Sequence, residues 1–314
     1  MAFINFEEAV ALLKKGEIIA FPTETVYGLG AIATNTEAIL KIYKKKQRPF
    51  FNPLILHTAN LQQALKYGKF NKLALQLAKQ LWPGPMTLIV EKRCNSISPA
   101  ATAGLQTLAI RIPNHPQAQK LISAVGYPLV APSANPSGRL SATSSLHVTS
   151  LFDNTVPILD CPEISTVGLE STIIDCTQNH PVILRYGAIT EDLIEKYTGL
   201  TPKTSKNTDP IKAPGMLLRH YAPKLPLYLN QKKPLENQAF ITFGNPTFTE
   251  LPHNTKIFPL SINENLEEAA KNLFSTLHIA DNHTPKFNSI GVMPIPHKNI
   301  GKAINDRLLR GSYI

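Results

Sequence analysis

The sequence predicts an α/β protein, a domain built on a mixed sheet followed by a smaller α/β domain. Three observations lead there. Short apolar runs alternate along the chain with segments whose apolar residues recur at helical spacing, as in layered α/β folds. The length of 314 residues is enough for two domains, each with its own core. A polar, basic stretch over 202–224 interrupts the alternation and reads as a linker, which sets the domains at 1–201 and 225–314.

The elements follow in order. Asn5 and Glu8 stand three apart ahead of an apolar-periodic run, the signature of a capped helix start. Ile18-Ile19-Ala20-Phe21 reads as a strand, and Pro22 turns the chain into Thr23-Glu24-Thr25-Val26-Tyr27-Gly28-Leu29-Gly30. With Pro fixing φ and two Gly residues relaxing it, this reads as a shaped turn at a strand end. Asn35 or Thr36 caps the next helix, on which Ile39, Ile42 and Tyr43 share a face. Its end is basic. Lys41, Lys44 and Lys45 read as a solvated face, and Lys46 and Arg48 are expected at the exposed helix end. Asn52-Pro53 then leads into Leu54-Ile55-Leu56, a second strand, ending on His57.

Helical patterns follow around Leu61–Leu65 and Leu73–Leu81, the second stopped by Trp82-Pro-Gly-Pro85; Met86–Lys92 is a strand. Thr107–Pro113 is another and sets Arg111 in apolar company, so Arg111 must meet a carboxylate or a phosphate. That partner is either an acidic residue of the protein or a ligand. A helix over Gln117–Val125 and a strand over Pro128–Ala131 precede Pro132-Ser133-Ala-Asn135-Pro-Ser-Gly138. In extended chain Ser133 and Asn135 face one way and can address one ligand. A Ser/Thr-rich loop runs from Ser141 to Ser145. Strands are expected at Val156–Leu159, Ser171–Asp175 and Val182–Arg185, with a helix at Glu191–Tyr197.

Within 202–224, Arg219, His220 and Tyr221 cluster between Pro214 and Pro223. An inert spacer needs no such cluster, so these side chains are expected to fold over the nucleotide site as a lid, the alternative being that they only dock the second domain. Beyond it, strands at Leu227–Leu229, Ala239–Phe243, Lys256–Leu260 and Ser289–Pro294 and helices at Glu264–Leu277 and Ile300–Leu309 make the small domain. That domain carries no recognisable catalytic motif.

Charge and composition narrow the function. The net charge is +10, densest over 202–224, where five Lys/Arg stand against one acidic residue. A basic balance favours anionic partners such as nucleotides or RNA. No apolar run approaches the roughly 18 residues of a membrane span, and Met1–Val10 holds Glu7 and Glu8 with no basic region, unlike a secretory signal. Cys94, Cys161 and Cys176 form no close pair, which argues against a disulfide framework or a zinc ribbon. A cytoplasmic protein is expected. There is no phosphate-loop motif, no Gly-x-Ser-x-Gly elbow and no His-Glu-x-x-His. His278 and His283 have metal-like spacing but no further ligands nearby in sequence.

The run Phe21-Pro-Thr-Glu-Thr-Val-Tyr-Gly-Leu-Gly30, followed by Lys46-Gln-Arg48-Pro and Asn52-Pro-Leu-Ile-x-His57, resembles the YrdC-like family of threonylcarbamoyl-AMP synthases. Arg111-x-Pro113, Ser133-Ala-Asn135, Leu169-Glu-Ser-Thr172 and Arg185-x-Gly187 match it in order. Pro214-Gly-Met and Arg219-His-Tyr-Ala-Pro223 look like the linker of its two-domain branch, which carries a Rossmann-like C-terminal domain.

The resemblance implies a YrdC-like twisted mixed sheet and a nucleotidyltransferase that makes threonylcarbamoyl-AMP and pyrophosphate from L-threonine, bicarbonate and ATP. The product would pass to a separate transferase that modifies tRNA. By the same resemblance ATP is held by Lys46, Arg48, Asn52, Ala131, Ser133, Asn135, Ser141, Arg185 and Tyr221. Mg²⁺ would be carried on the ATP phosphates, without protein ligands of its own. Threonine would meet Thr25, His57, Arg111 and Ser171, with Arg111 clamping its carboxylate and His57 or Thr25 taking its hydroxyl. Lys46, Arg48 and His57 form the expected catalytic set, His57 being the best candidate base by chemistry.

Two other readings are an RNA-binding or ribosome-maturation factor and a carbamoyl-phosphate-using carbamoyltransferase. Aromatics at 7% with no single-stranded-RNA motif give the first little support and make RNA contact weak at most. The absence of Cys-x-x-Cys fingers counts against the second.

Overall fold

The computed structural model describes residues 3–162, 164–205, 220–283 and 287–313. Among these, two sheets organise the chain. The first half of the large sheet is built from β1 (Phe3–Ile4), α1 (Phe6–Lys14), β2 (Ile19–Phe21), β3 (Gly28–Ile32), α2 (Thr36–Lys46) and β4 (Ile55–His57). The chain continues through α3 (Leu61–Tyr67), β5 (Gly68–Lys69), α4 (Lys72–Leu81), β6 (Met86–Lys92), α5 (Pro99–Thr102), β7 (Thr107–Arg111) and α6 (Pro116–Val125). It closes with β8 (Leu129–Val130), α7 (Ser145–Phe152), β9 (Ile158–Leu159), β10 (Thr172–Asp175), β11 (Val182–Arg185), α8 (Glu191–Thr198) and β12 (Lys203–Thr204).

The helix starts obey local chemistry. Asn5 and Glu8 form a reciprocal capping box on α1, and Asn35 caps α2 by accepting from the Ala38 N–H. Strand order is β1-β9-β2-β3-β8-β4-β7-β6-β10-β11-β12, with β5 on β6. Parallel and antiparallel pairs mix, as the sequence predicts. Lys203–Thr204, within the stretch read as linker, extends this sheet as a parallel edge strand on β11.

Register decides what the sheet presents. His57 ends β4 opposite Arg111, which ends β7; Arg111 in turn faces Thr87 of β6. Thr172 opens β10 opposite Met86, so Ser171 sits just outside that strand. Arg185 ends β11 opposite Ile173. The ends of neighbouring strands thus bring His57, Arg111, Ser171 and Arg185 to one edge.

Two expectations are corrected. Gly28–Ile32 is a strand, not part of a turn, and it pairs with β2 and β8. Its glycines are not in the left-handed region; they make room. A Cβ on Gly30 would meet the Phe21 ring at 2.6 Å, and one on Gly28 would sit 3.0 Å from the Ala131 methyl. The Ser/Thr-rich loop also holds only as far as Ser144, and a helix rather than plain chain follows it, because Ser144 accepts from the His147 N–H and starts α7.

The second sheet is all parallel, ordered β13 (Leu227–Tyr228), β16 (Ser289–Val292), β14 (Gln238–Phe243) and β15 (Lys256–Ser261). It is covered by α9 (Leu266–Asp281) and α10 (Gly301–Ser312), an open α/β layer of Rossmann-like kind. Its apolar core takes in Val26, Leu140 and Leu169 from the first unit beside Leu273, Phe274 and Ile304. The two units therefore share packed interior. No helix among the described residues is long and apolar enough to cross a membrane.

Candidate active site

A cleft opens where the strand ends of the large sheet meet His220 and Tyr221. Thr25, His57 and Arg111 form one group of its lining, Arg48 and Ser133 another, and the hydrogen-bonded pair Ser171 and Arg185 joins them; Ala131, His220 and Tyr221 line it too. Residues placed far apart in the sequence meet here because β3, β4, β7, β8, β10 and β11 all end at this edge.

The first group is built around Arg111, which is buried. Its Nη1 donates to Thr25 Oγ1 at 2.8 Å, and its Nη2 lies 2.8 Å from Glu24 Oε1. Of the two partners open for Arg111 from sequence, the protein supplies the carboxylate itself. The pair is close but poorly directed, since neither Glu24 oxygen nor Arg111 Nε or Nη2 has a hydrogen-bond partner of good geometry. Thr25 is fixed further by Thr23, whose hydroxyl is 2.9 Å from its own. Ser171 Oγ meets Thr87 Oγ1 at 2.7 Å and accepts from Arg185 Nη2 at 3.1 Å.

His57 Nδ1 donates to the Ile55 carbonyl at 3.1 Å, which leaves Nε2 as the acceptor. Burial, then the adjacent Arg111 cation, lowers its pKa from 6.5 to about 3. The expectation of a basic His57 is thereby revised. Near neutral pH it is an uncharged imidazole that accepts a hydrogen bond and is too weak a base to hold a proton.

The surroundings of Arg48 are cationic and buried. Lys46 is only 1% exposed, not at an open helix end as expected; Arg48 is buried as well. Lys46 Nζ donates to the Ser133 carbonyl at 2.6 Å and to the Asn135 carbonyl, so it clamps the Pro132–Gly138 turn. Burial, then Arg48, lowers its pKa well below the usual lysine value. Arg48 is held by the Asn52 and Pro53 carbonyls at 3.2 and 3.0 Å, and burial brings its pKa down to about 10, still a cation. Arg185 Nε donates to the Ser171 carbonyl at 3.1 Å. Lys41 and Lys44 remain on the solvated face and Lys45 is half-buried.

Lys46, Asn52, Asn135 and Ser141 stand behind the wall of the cleft rather than on it. Asn135 Nδ2 donates to the Pro136 and Arg139 carbonyls at 2.9 and 2.8 Å, whereas its Oδ1 and both amide atoms of Asn52 are buried without a partner. Ser141 Oγ donates to Glu170 Oε1, and the Ser141 carbonyl accepts from His278 Nε2 at 3.0 Å. His278 is thus used structurally, stacked on His147 at 4.1 Å.

Of the basic cluster expected as a lid, Arg219 lies outside the described residues. His220 and Tyr221 are buried, ring on ring at 4.0 Å. Tyr221 adopts φ 63°, a left-handed conformation costly for a bulky residue, and packs on Phe274 at 5.7 Å between centroids. The Tyr221 hydroxyl and His220 Nδ1 have no hydrogen-bond partner. Burial, then Arg48, Lys46 and Arg185, push His220 well below 6.5.

Sequence reasoning missed Glu24, Glu170 and Arg307. Arg307 of α10 pairs with Glu170 Oε2 at 2.9 Å through Nε, beside the cleft. A signal existed for two buried cations. Lys46 continues the series Ile39, Ile42, Tyr43, and Arg307 continues Ile300, Ala303, Ile304; both therefore lie on apolar helix faces. Single carboxylates such as Glu24 leave no such pattern.

Buried Arg48 and Arg185 lining one cleft make a site for an anionic ligand, since a buried guanidinium gains from an anion brought within reach. Among the described residues no group of three or more His, Cys, Asp or Glu is placed to hold a metal. Fold and site together define a two-domain nucleotidyltransferase of the YrdC-like class.

The comparisons agree. Residues 11–187 match the Sua5/YciO/YrdC family, described as telomere recombination, and residues 189–312 match the threonylcarbamoyl-AMP synthase C-terminal domain. The threonylcarbamoyl-AMP synthase of Bacillus subtilis is 38% identical, over 97% of this chain and 92% of that protein. That of Pyrococcus abyssi is 36% identical, over 97% and 93%. A crystal structure of P. abyssi Sua5 complexed with L-threonine superposes with a TM-score of 0.90 at 33% identity, covering 99% of this chain and 98% of that one. The chain belongs to the threonylcarbamoyl-AMP synthase family, in its two-domain form.

Proposed function

We infer that the protein condenses L-threonine, bicarbonate and ATP into threonylcarbamoyl-AMP and pyrophosphate, the activated group used for threonylcarbamoyladenosine in tRNA. The observation that carries this reading is one cleft lined by buried Arg111, His57 and Thr25 together with buried Arg48 and Arg185. The threonine amine and bicarbonate give a carbamate and water; a carbamate oxygen then bonds to the α-phosphorus as the α–β bridge breaks and pyrophosphate leaves. Such a step needs alignment and charge stabilisation more than a protein nucleophile.

In this reading the threonine carboxylate takes up Arg111, exchanging with or adding to Glu24. The hydroxyl donates to His57 Nε2 and meets Thr25, and Ser171 lines the cleft with them. Arg48, Arg185 and, through the turn it clamps, Lys46 surround the triphosphate, with Ala131, Ser133 and Ser141 toward the nucleoside. Mg²⁺ would be carried on the ATP phosphates, where it would supply charge neutralisation, and Asn52 and Asn135 would act from behind the wall by supporting the phosphate end. His220 and Tyr221 serve as the cover that keeps water from a hydrolysable carbamate and mixed anhydride. We assign 1–201 to catalysis, 202–224 to the covering linker and 225–314 to a Rossmann-like domain that backs it. The product goes to a separate tRNA transferase, in the cytoplasm, with little direct RNA binding.

Pyrophosphate release from Mg-ATP tests this. It should require both threonine and bicarbonate, and serine should be a poor substitute, since one buried methyl is worth about 1–3 kcal/mol. Equal rates with serine sink the threonine pocket; release that depends on RNA or on carbamoyl phosphate sinks the reaction.

A further inference from the structure

Arg307, a side chain of the second domain, stands beside the cleft, paired with Glu170 of its lining. Arg307 is 1% exposed, and its charge is fully engaged. Nε pairs with Glu170 Oε2 and Nη1 with Asp306 Oδ2, both at 2.9 Å, and the guanidinium carbon stands 5.3 Å over the Tyr221 ring. Glu170 lines the cleft and is also held by Ser141. Left alone, a buried carboxylate here would repel a triphosphate and be costly to bury. Arg307 cancels that charge and fixes the Tyr221 ring in its left-handed turn.

We propose that Arg307 is a positioning residue for the nucleotide half of the cleft: by neutralising Glu170 and backing Tyr221, it makes nucleotide affinity depend on the docked second domain. The effect on threonine is small, because Arg307 touches Glu170, Asp306 and Tyr221 rather than Thr25, His57 or Arg111. The proposal rests on the reading of the cleft as an ATP and threonine site.

Steady-state pyrophosphate release by the full chain tests it, with ATP and threonine varied in turn for wild type, Arg307→Met, Arg307→Lys and Glu170→Gln/Arg307→Met. Arg307→Met should raise the KM for ATP about tenfold or more, the loss of one charge-assisted bond, with the threonine KM within about twofold. Arg307→Lys should recover part of that loss. The double variant should also lie below Arg307→Met, because no carboxylate is left unpaired. If Arg307→Met does not fold, the lysine and double variants are compared with wild type by the same split between the two KM values. An unchanged ATP KM, equal rises in both KM values, or a double variant no better than the single overturns the proposal. Wild type that releases no pyrophosphate with all three substrates would instead overturn the assigned reaction.

Discussion

His57 shows how a residue's place decides its chemistry. Its neighbours in the fold are Arg111 and a carbonyl, and burial beside a cation favours the uncharged ring. His147 is likewise lowered to about 3 by burial and then His278, and His220 and His278 are lowered mainly by burial. These folded-state values lie below the 6.5 of an unfolded histidine, so the unfolded chain binds more protons between them. Stability from these rings is full above about pH 6.5 and drains away as pH falls toward about 3. Urea midpoints should therefore drop from pH 7.5 to pH 5, and His57→Gln should flatten that slope. An unchanged midpoint over the range would mean that the rings charge freely in the fold. In catalysis, a pH–rate profile should show no His57 inflection between pH 6 and 7.

At the scale of the element, α2 carries the clearest contrast. Lys44 and Lys46 are two residues apart, one exposed and one buried. Lys46→Met removes a donor from the Asn135 carbonyl and should cost about 1–3 kcal/mol, whereas Lys44→Met should stay within about 0.5 kcal/mol. Chemical denaturation of the two variants measures the difference, and equal midpoints would contradict the clamp. The same helix explains what could be read beforehand. Asn35 and the Ile39, Ile42, Tyr43 face gave its start and its buried side, because caps and helical periods are local. Whether Lys46 met water or a carbonyl depended on where the Pro132–Gly138 turn lay, and that is tertiary. Strand β3 escaped for another reason. It is buried on both faces and rich in Gly, so it shows neither alternation nor high strand propensity. Of the residues the resemblance pointed to, Thr25, Arg48, His57, Arg111, Ala131, Ser133, Ser171, Arg185 and Tyr221 line the cleft and Lys46, Asn52, Asn135 and Ser141 do not; Glu24, Glu170 and Arg307 became visible only once strand ends and α10 were brought together.

At the scale of the molecule, the shared core joins the two units into one folding body. Val26, Leu140 and Leu169 lose their packing if the second unit opens, and Tyr221 lies between them and Phe274. Urea unfolding should accordingly be a single transition. The lone tryptophan, Trp82, reports on the first unit, and far-UV circular dichroism reports on both. Their curves should coincide; two separated transitions would show units that merely touch.

The position of Arg307 on α10 also bears on biosynthesis. Domains fold as they leave the ribosome, N-terminal first, at about 5–20 residues per second. Until the second unit has emerged, Val26, Leu140 and Leu169 have no partners to pack on, Glu170 lacks its guanidinium and Tyr221 its backing. The pocket is therefore completed only once residue 307 has left the ribosome and docked, and messages cut short before that codon yield a chain that neither packs its shared core nor activates threonine.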